Sequence, residues 1–346
     1  MDIKFYNKDD QIKQLIRVDI LIAQAKQLKI EKLRQLETLL MTKKLLIQQN
    51  GALTTSLKQF KLSVNQIPEF TFGTSSAKGR RPTNEDTHLV CESPFFAAIF
   101  DGHGGAEIAE LAENALHDYL QEDNSIPGLH GIQLKLLQFD QLLINICPES
   151  GATMGFTCFL GKNLVIGNIG DVRVLTDFND TTDHKPDSER DRLANYSSLV
   201  IRKRVNGVLA TSRSLGDRAM KTQGIIGLAD VQIVRDFKFV FIGCDGVFDV
   251  LTNEQIRSIV KMEKDSTDRV VKAAICFAEC LIEDGDSIVE EIRGVQQYEI
   301  DEEYCEKILK EDQLETRLCK AIIRIAFRMG SQDNISCMLL IMQKHE

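Results

Sequence analysis

Twice in this chain of 346 residues an apolar run ends in Asp-Gly: Phe96-Ala-Ala-Ile-Phe-Asp101-Gly102 and Phe239-Val-Phe-Ile-Gly-Cys-Asp245-Gly246. A buried strand that delivers a carboxylate at its end constrains a fold strongly, because the charge must stay at a sheet edge where water or a cation can reach it. Two further acidic segments bracket strands, Arg81-Pro-Thr-Asn-Glu85-Asp86 before one and Gly330-Ser-Gln-Asp333-Asn334 before another. Each has an ordinary reading: Asp-Gly is a common turn signal, and Asp101 could cap the helix expected from Ala106. Together they can converge on one sheet edge. Four or five carboxylates there would repel one another by about 3 kcal/mol per pair at ~5 Å and an effective dielectric of ~20. Hard oxygen donors without a Cys or His cluster point to Mg²⁺ or Mn²⁺ and away from zinc.

The surrounding texture supports such an edge. Short β-branched and aromatic runs recur from Phe70 onward: Thr87–Cys91, Phe95–Phe100, Met154–Leu160, Asn163–Asn168, Arg173–Thr176, Phe237–Gly243 and Ile335–Met342. Helical patterns lie between them at Ala106–Leu120, Asn253–Lys261, Asp268–Glu283 and Glu315–Arg328. Strands and helices in this order predict an α+β domain with mainly antiparallel sheets.

Residues 9–48 contain no Gly or Pro and read as helix, so residues 1–67 form a helical extension and 68–346 the domain proper. The extension holds twelve basic and six acidic residues; the stretch 283–315 holds thirteen acidic and three basic, which accounts for the net charge of −9. The latter reads as an acidic surface insertion. The opposite charges could draw the two segments together or attract separate partners, and the Leu/Ile-rich extension suggests self-association or partner binding. The acidic balance argues against nucleic acid. No run approaches the roughly 20 apolar residues of a membrane helix. Nine cysteines without a Cys-x-x-Cys pair read as reduced, buried thiols of a cytoplasmic or nuclear protein.

These motifs resemble those of the metal-dependent type 2C serine/threonine protein phosphatases over about residues 70–343. The supporting segments follow in the family's order: Ser150-Gly-Ala-Thr-Met, Gly167-Asn-Ile-Gly170-Asp171-Val172-Arg173, Asp183-His-Lys-Pro186 and Gly207-Val-Leu-Ala-Thr-Ser-Arg213-Ser-Leu-Gly216-Asp217. The resemblance implies an αββα sandwich of two mainly antiparallel sheets and two Mg²⁺ or Mn²⁺ ions. Asp101 would bridge the ions; Glu85 and the Gly102 carbonyl would hold one, and Asp245 and Asp333 the other. A third, weaker ion would fall to Asp183 and Asp245. Arg81 would bind the substrate phosphate, and His103 would protonate the leaving oxygen of phosphoserine or phosphothreonine in a phosphoprotein while a metal-bridging hydroxide attacks phosphorus. His103 also has a plain reading as a structural imidazole.

Two departures stand out. Val172 replaces the family's usual Ser, and the flap segment from Lys185 to Asn206 lacks the usual glycine pair, which bears on substrate choice. The alternative to an enzyme is an inactive relative acting as a binding or regulatory module; retention of Glu85, Asp101, His103, Asp245 and Asp333 favours the enzyme. Hydrolysis of a small phosphorylated metabolite would use the same centre.

Overall fold

The computed structural model describes residues 68–121, 125–147, 149–261 and 313–343. The expected helices over 9–48 and 268–283, and nearly all of the acidic stretch 283–315, lie outside the described residues.

Two antiparallel sheets form the centre. The first runs β1 (Phe70–Ala77), β12 (Ile335–Met342), β11 (Phe239–Gly243), β6 (Arg173–Thr176) in spatial order. The second runs β10 (Asp230–Val234), β5 (Asn163–Ile169), β4 (Gly151–Leu160), β3 (Phe95–His103), β2 (Thr87–Glu92), with β9 (Leu215–Gly216) added beside β4. Helices α1 (Glu107–Leu120) and α2 (Leu129–Ile146) cover the outer face of the second sheet. Helices α6 (Asn253–Val260) and α7 (Leu314–Arg328) cover that of the first. This is the expected αββα sandwich.

Three apolar layers follow from the two-residue period of a strand. In β3, Phe96, Ala98 and Phe100 face the helices, while Phe95, Ala97 and Ile99 face the other sheet. β12 divides likewise: Ile335, Cys337 and Leu339 pack under α6 and α7, and Met338 and Leu340 point inward. Strands buried on both faces read as continuous apolar runs, which is why they are conspicuous in the sequence. Each large side chain so buried contributes roughly 1.5–3 kcal/mol. An aromatic cluster of Phe70, Phe95, Phe159 and Phe237 fills one end of the inter-sheet layer, with Phe70 and Phe95 centroids 4.5 Å apart. It lies at the start of β3, whereas Asp101 lies at that strand's other end, ~20 Å of chain away. One end is sealed and the other is left for polar chemistry.

Helix α2 and strands β1 and β10 are not apparent in the sequence. β1 has little apolar pattern, but it pairs with β12 along its whole length, from Phe70 opposite Met342 to Ala77 opposite Ile335. Its Gly73 accommodates α7, since a Cβ there would stand 2.1 Å from the Thr316 nitrogen.

The Val172 departure also has a structural account. Its side chain is fully buried in the apolar inter-sheet layer, near Gly155, so a methyl-bearing residue stands in the hydrophobic core where the family usually has a hydroxyl. Val172→Ser should therefore cost about 1–3 kcal/mol of stability through an unsatisfied hydroxyl. Thermal or urea denaturation measures this; a variant as stable as the parent would show that the hydroxyl finds a partner.

Candidate active site

At the polar end of the sandwich is a cleft of about 330 Å³. Its lining includes Arg81, Glu85, Asp101, Gly102, His103, Asp171, Asp245 and Asp333. Seven of these eight are site residues expected from the sequence; Asp171 stands there only as part of a supporting segment. The structure thus brings together the ends of β3 and β11, the loop before β2 and the loop before β12.

Asp101 does not cap a helix. The residue preceding α1 is Ala106, and no side chain caps that end. Asp245 instead opens a one-turn helix, α5 (Asp245–Phe248), immediately after β11. Glycine beside each carboxylate lets chains meet. A Cβ on Gly102 would lie 2.4 Å from the Glu85 carbonyl oxygen, and one on Gly246 would lie 1.9 Å from that of Asn334. Asn334 ties the acidic loops to each other: its Oδ1 accepts from the Glu85 N–H at 2.9 Å, and its Nδ2 donates to the Lys78 and Thr83 carbonyls, each at 2.8 Å. Asp333 in turn accepts from the Arg81 guanidinium at 2.7 Å.

The carboxylates disturb one another. Burial, then the charges of Asp245, Asp86, Asp171 and Asp333, push Asp101 well above the usual carboxylate range. Burial and the charges of Asp171, Asp333 and Asp249 push Asp245 up to about 8, although Lys185 pulls the other way. Asp86 is raised to about 6 by burial, tempered by nearby Ser336 and Cys244. Both Asp86 oxygens and Asp245 Oδ1 are buried without a hydrogen-bond partner. Ligand-type atoms of Asp86, Asp101 and Cys244 lie within 4.8 Å of one another. Orphaned carboxylate oxygens around an oxygen-rich cleft fit a hard divalent cation, whose charge would remove the repulsion. Glu85, Asp101, Asp245 and Asp333 have the donor chemistry and the position for it.

Asp183 is placed differently from expectation. It does not line the cleft: its two oxygens accept from Arg173 Nε and Nη2 at 2.9 and 2.7 Å. Arg173 also reaches Asn253 Oδ1 at 2.6 Å and lies 4.5 Å from the centre of the Phe248 ring. This bidentate pair buttresses the loops behind the cleft. Besides Asp333, the carboxylates that act on Asp245 are Asp171 and Asp249, not Asp183; Asp171 is bound by Lys185 Nζ at 2.6 Å. Their signals are present in Gly170-Asp171 and Asp245-Gly-Val-Phe-Asp249, but nothing in the spacing distinguishes Asp171 from Asp183.

His103 has a partner the sequence does not reveal. Its Nε2 lies 2.7 Å from Asp217 Oδ2. Burial opposes protonation of the ring, yet the hydrogen bond and charge of Asp217, helped by Asp171 and Glu85, outweigh it and raise the imidazole above its ordinary value. Asp217 sits in the left-handed region, with φ of 51°, at the end of a loop closed onto Ser150 by a 3.0 Å N–H···O bond. Asp140 of α2 holds that loop from beneath, accepting from the Gly216 N–H at 2.9 Å and pairing with Lys221 Nζ at 2.7 Å. Gly151 leaves room for the pair, since a Cβ there would lie 2.2 Å from Asp217 Oδ2 and 2.4 Å from His103 Nε2. The helix hidden in the sequence thus carries a support that was hidden with it.

The six described cysteines are free, and Cys244 is buried between strands, accepting from the Ser336 N–H at 3.1 Å. No helix among the described residues is long and apolar enough to cross a membrane.

The raised carboxylates make stability depend on pH. A carboxyl whose folded value lies above its unfolded one stabilises fully below the unfolded value near 4, and that contribution is lost as pH rises through the folded value of about 8 for Asp245. In chelator the protein should therefore melt lower at pH 8 than at pH 5.5. Asp245→Asn should recover roughly 2–4 °C for each kcal/mol of repulsion removed. Mn²⁺ should raise the melting temperature of the parent more at pH 8 than at pH 5.5. A melting curve unmoved by Mn²⁺ at either pH would exclude a preformed cation site.

Comparison with known proteins places the cleft in context. Residues 68–283 match the family described as Protein phosphatase 2C. The chain is 31% identical over 276 residues to the protein phosphatase ppm-1.A of Caenorhabditis elegans, covering 60% of this chain and 59% of that protein. It is 30% identical over 250 residues to the probable protein phosphatase 2C 6 of Paramecium tetraurelia, covering 61% and 84% respectively. The chain thus spans less than two thirds of the Caenorhabditis relative's length. In fold it is similar to a sex-determining protein of C. elegans, with a TM-score of 0.57, 20% identity and coverage of 79% of this chain and 65% of the other. A serine-threonine phosphatase 2C from Toxoplasma gondii gives a TM-score of 0.53, with 16% identity and coverage of 80% and 96%.

Proposed function

Because the chain belongs to the protein phosphatase 2C family, we propose that its cleft hydrolyses phosphoserine and phosphothreonine in protein substrates and requires Mg²⁺ or Mn²⁺. The observation that carries this reading is the convergence of Glu85, Asp101, Asp245 and Asp333 in one cleft, where Asp245 Oδ1 is buried without a hydrogen-bond partner.

Glu85, Asp101, the Gly102 carbonyl, Asp245 and Asp333 would hold two divalent ions, and Asp171 with Asp245 would replace the expected Asp183 pair for a third. When bound, such ions would acidify a water to serve as the nucleophile and would polarise the phosphoryl oxygens. The chain's own side chains do the rest. Arg81 lies at the cleft rim, 54% exposed, and its fork has donors beyond the one given to Asp333, so it can bind a phosphoryl group entering from solvent. His103, whose Nε2 is engaged by Asp217 and whose protonated form that carboxylate favours, would have Nδ1 to donate to the departing serine or threonine oxygen. The Asp140–Lys221 pair and the Ser150 contact keep Asp217 still, so that the imidazole keeps one orientation.

Purified protein assayed on a phosphothreonine peptide should turn over with Mn²⁺ and stop in excess chelator. Asp101→Asn should lose about 10³-fold or more, a loss of several kcal/mol of transition-state stabilisation. Asp183→Asn should cost far less. Undiminished turnover in chelator would overturn the reading.

Gly151→Ala should displace the His103–Asp217 pair without touching a carboxylate of the cleft. We expect kcat on the peptide to fall by roughly 10²-fold, as for loss of a general acid, while p-nitrophenyl phosphate, whose leaving group needs no proton, changes little. Equal losses on the two substrates would make His103 a structural residue instead.

A further inference from the structure

Beside the cleft, residues 186–226 apart from β9, which belongs to the second sheet, form a small unit with its own core of Leu193, Val205, Met220 and Ile225. It contains a 3₁₀ turn (Pro186–Glu189), helix α3 (Arg190–Ala194), a hairpin of β7 (Val200–Ile201) and β8 (Arg204–Val205), and helix α4 (Arg218–Lys221). Arg204, Leu209, Ala210 and Thr211 of this unit line the cleft itself.

Its outer surface stands apart from that of the other described residues. Of the seven exposed large hydrophobic side chains among the described residues, four belong to it: Tyr196, Leu199, Ile201 and Val208, with Leu199 at 66% and Val208 at 62% exposure. Between them the hairpin turns through Arg202 and Lys203, and residues 196–211 carry three cations and no acidic residue. Arg202 and Lys203 form no ion pair among the described residues, whereas the nearby Asp187 and Glu189 are already bound by Arg190, Arg192 and Arg213.

The turn is costly where it stands. Arg202 and Lys203 both have positive φ, 51° and 62°, in a two-residue connection that normally takes Asn-Gly. Long side chains there cost on the order of 1 kcal/mol each. The hairpin is nevertheless held firmly: Asn206 donates its N–H to the Leu199 carbonyl at 2.7 Å and its Nδ2 to Gln223 Oε1 at 2.5 Å, while Ser198 Oγ reaches the Gln223 carbonyl at 2.8 Å. Strain, exposed apolar surface and unpaired positive charge are thus fixed next to the catalytic cleft by a braced scaffold.

We propose that this hairpin is a substrate-reading surface that selects phosphoproteins whose phosphorylated residue is flanked by acidic and aliphatic side chains. The inference rests on the phosphatase reading above. Charge complementarity names the acidic component, and the aliphatic component is what would cover Leu199, Ile201 and Val208. Continuity with the cleft through Arg204 and Leu209 fixes the occupant as the chain flanking the phosphate. A preformed surface needs little ordering on binding, so its effect belongs in KM.

The decisive variant is Arg202→Asn with Lys203→Gly, which removes both charges and installs the residues this turn geometry favours, so the fold is safeguarded. Peptides with one phosphothreonine flanked by Glu and Leu, or by Lys and Ser, are compared with p-nitrophenyl phosphate in Mn²⁺. The parent should prefer the acidic-aliphatic peptide by about 5- to 20-fold in kcat/KM, mostly through KM, with the preference shrinking at high salt. The variant should lose most of that preference, keep its turnover of p-nitrophenyl phosphate and melt no lower than the parent. Leu199→Ser with Val208→Ser should weaken the same peptide only. Equal kcat/KM for the two peptides in the parent, or a preference that survives in Arg202→Asn/Lys203→Gly, overturns the proposal. No turnover of any substrate in Mn²⁺ would instead count against the phosphatase reading. Fluorescence anisotropy of the same labelled peptides on the metal-loaded protein would then still decide between selective and indifferent binding.

Discussion

Carboxylates gathered in one cleft repel one another, and the rest of this structure can be understood as the means of holding them there. Asp245, Asp171 and Asp333 all raise the proton affinity of Asp101, and Asp171 and Asp333 raise that of Asp245, so the arrangement is unfavourable by itself. It persists because two apolar sheets, packed against each other and against helices on both outer faces, leave the strand ends no freedom to separate. Local ties complete the restraint. Asn334 joins the loops before β2 and β12, and Arg81 and Lys185 supply positive charge at the margins.

Rigidity of that kind suits a site whose chemistry depends on placement more than on motion. The stiff elements carry the carboxylates, while the His103–Asp217 pair is assembled from the end of β3 and a loop braced by Asp140. The same division explains why the braced hairpin beside the cleft can differ in surface character without disturbing the centre. Its small core of Leu193, Val205, Met220 and Ile225 is separate from the three large apolar layers.

Much of this is legible in the sequence because burial on both faces writes continuous apolar runs. Arg173–Thr176 and Ile335–Met342 have the same bounds in sequence and structure, and Asp-Gly after such a run marks two site positions. What is illegible depends on partners far away in the chain. β1 is a strand because β12 lies beside it, not because Thr74, Ser75 and Ser76 prefer extended structure. Helix α2 buries a stripe of Ile132, Leu136, Phe139 and Leu143, but apolar residues off that stripe, such as the exposed Leu134, blur it in the sequence, and nothing local marks Asp140 as a buried support. Asp171 and Asp183 are twelve residues apart and chemically identical; Asp183 gives both oxygens to Arg173 behind the cleft, whereas Asp171, held by Lys185, lines it, and the spacing in the sequence does not tell them apart.

The place of β12 in its sheet has a consequence for how the protein comes into being. It is the strand between β1 and β11, so the first strand of the domain and one that carries a cleft carboxylate are joined only by residues 335–342. On the ribosome, β1 must wait for more than 250 residues to be synthesised before its partner emerges. During that interval Asp101 and Asp245 already exist, but Asp333 and the Asn334 clasp do not. Contacts so distant in sequence form late and slowly. The centre therefore assembles as one of the last events of folding, and a nascent chain stalled before residue 333 would hold most of the core without a competent cleft.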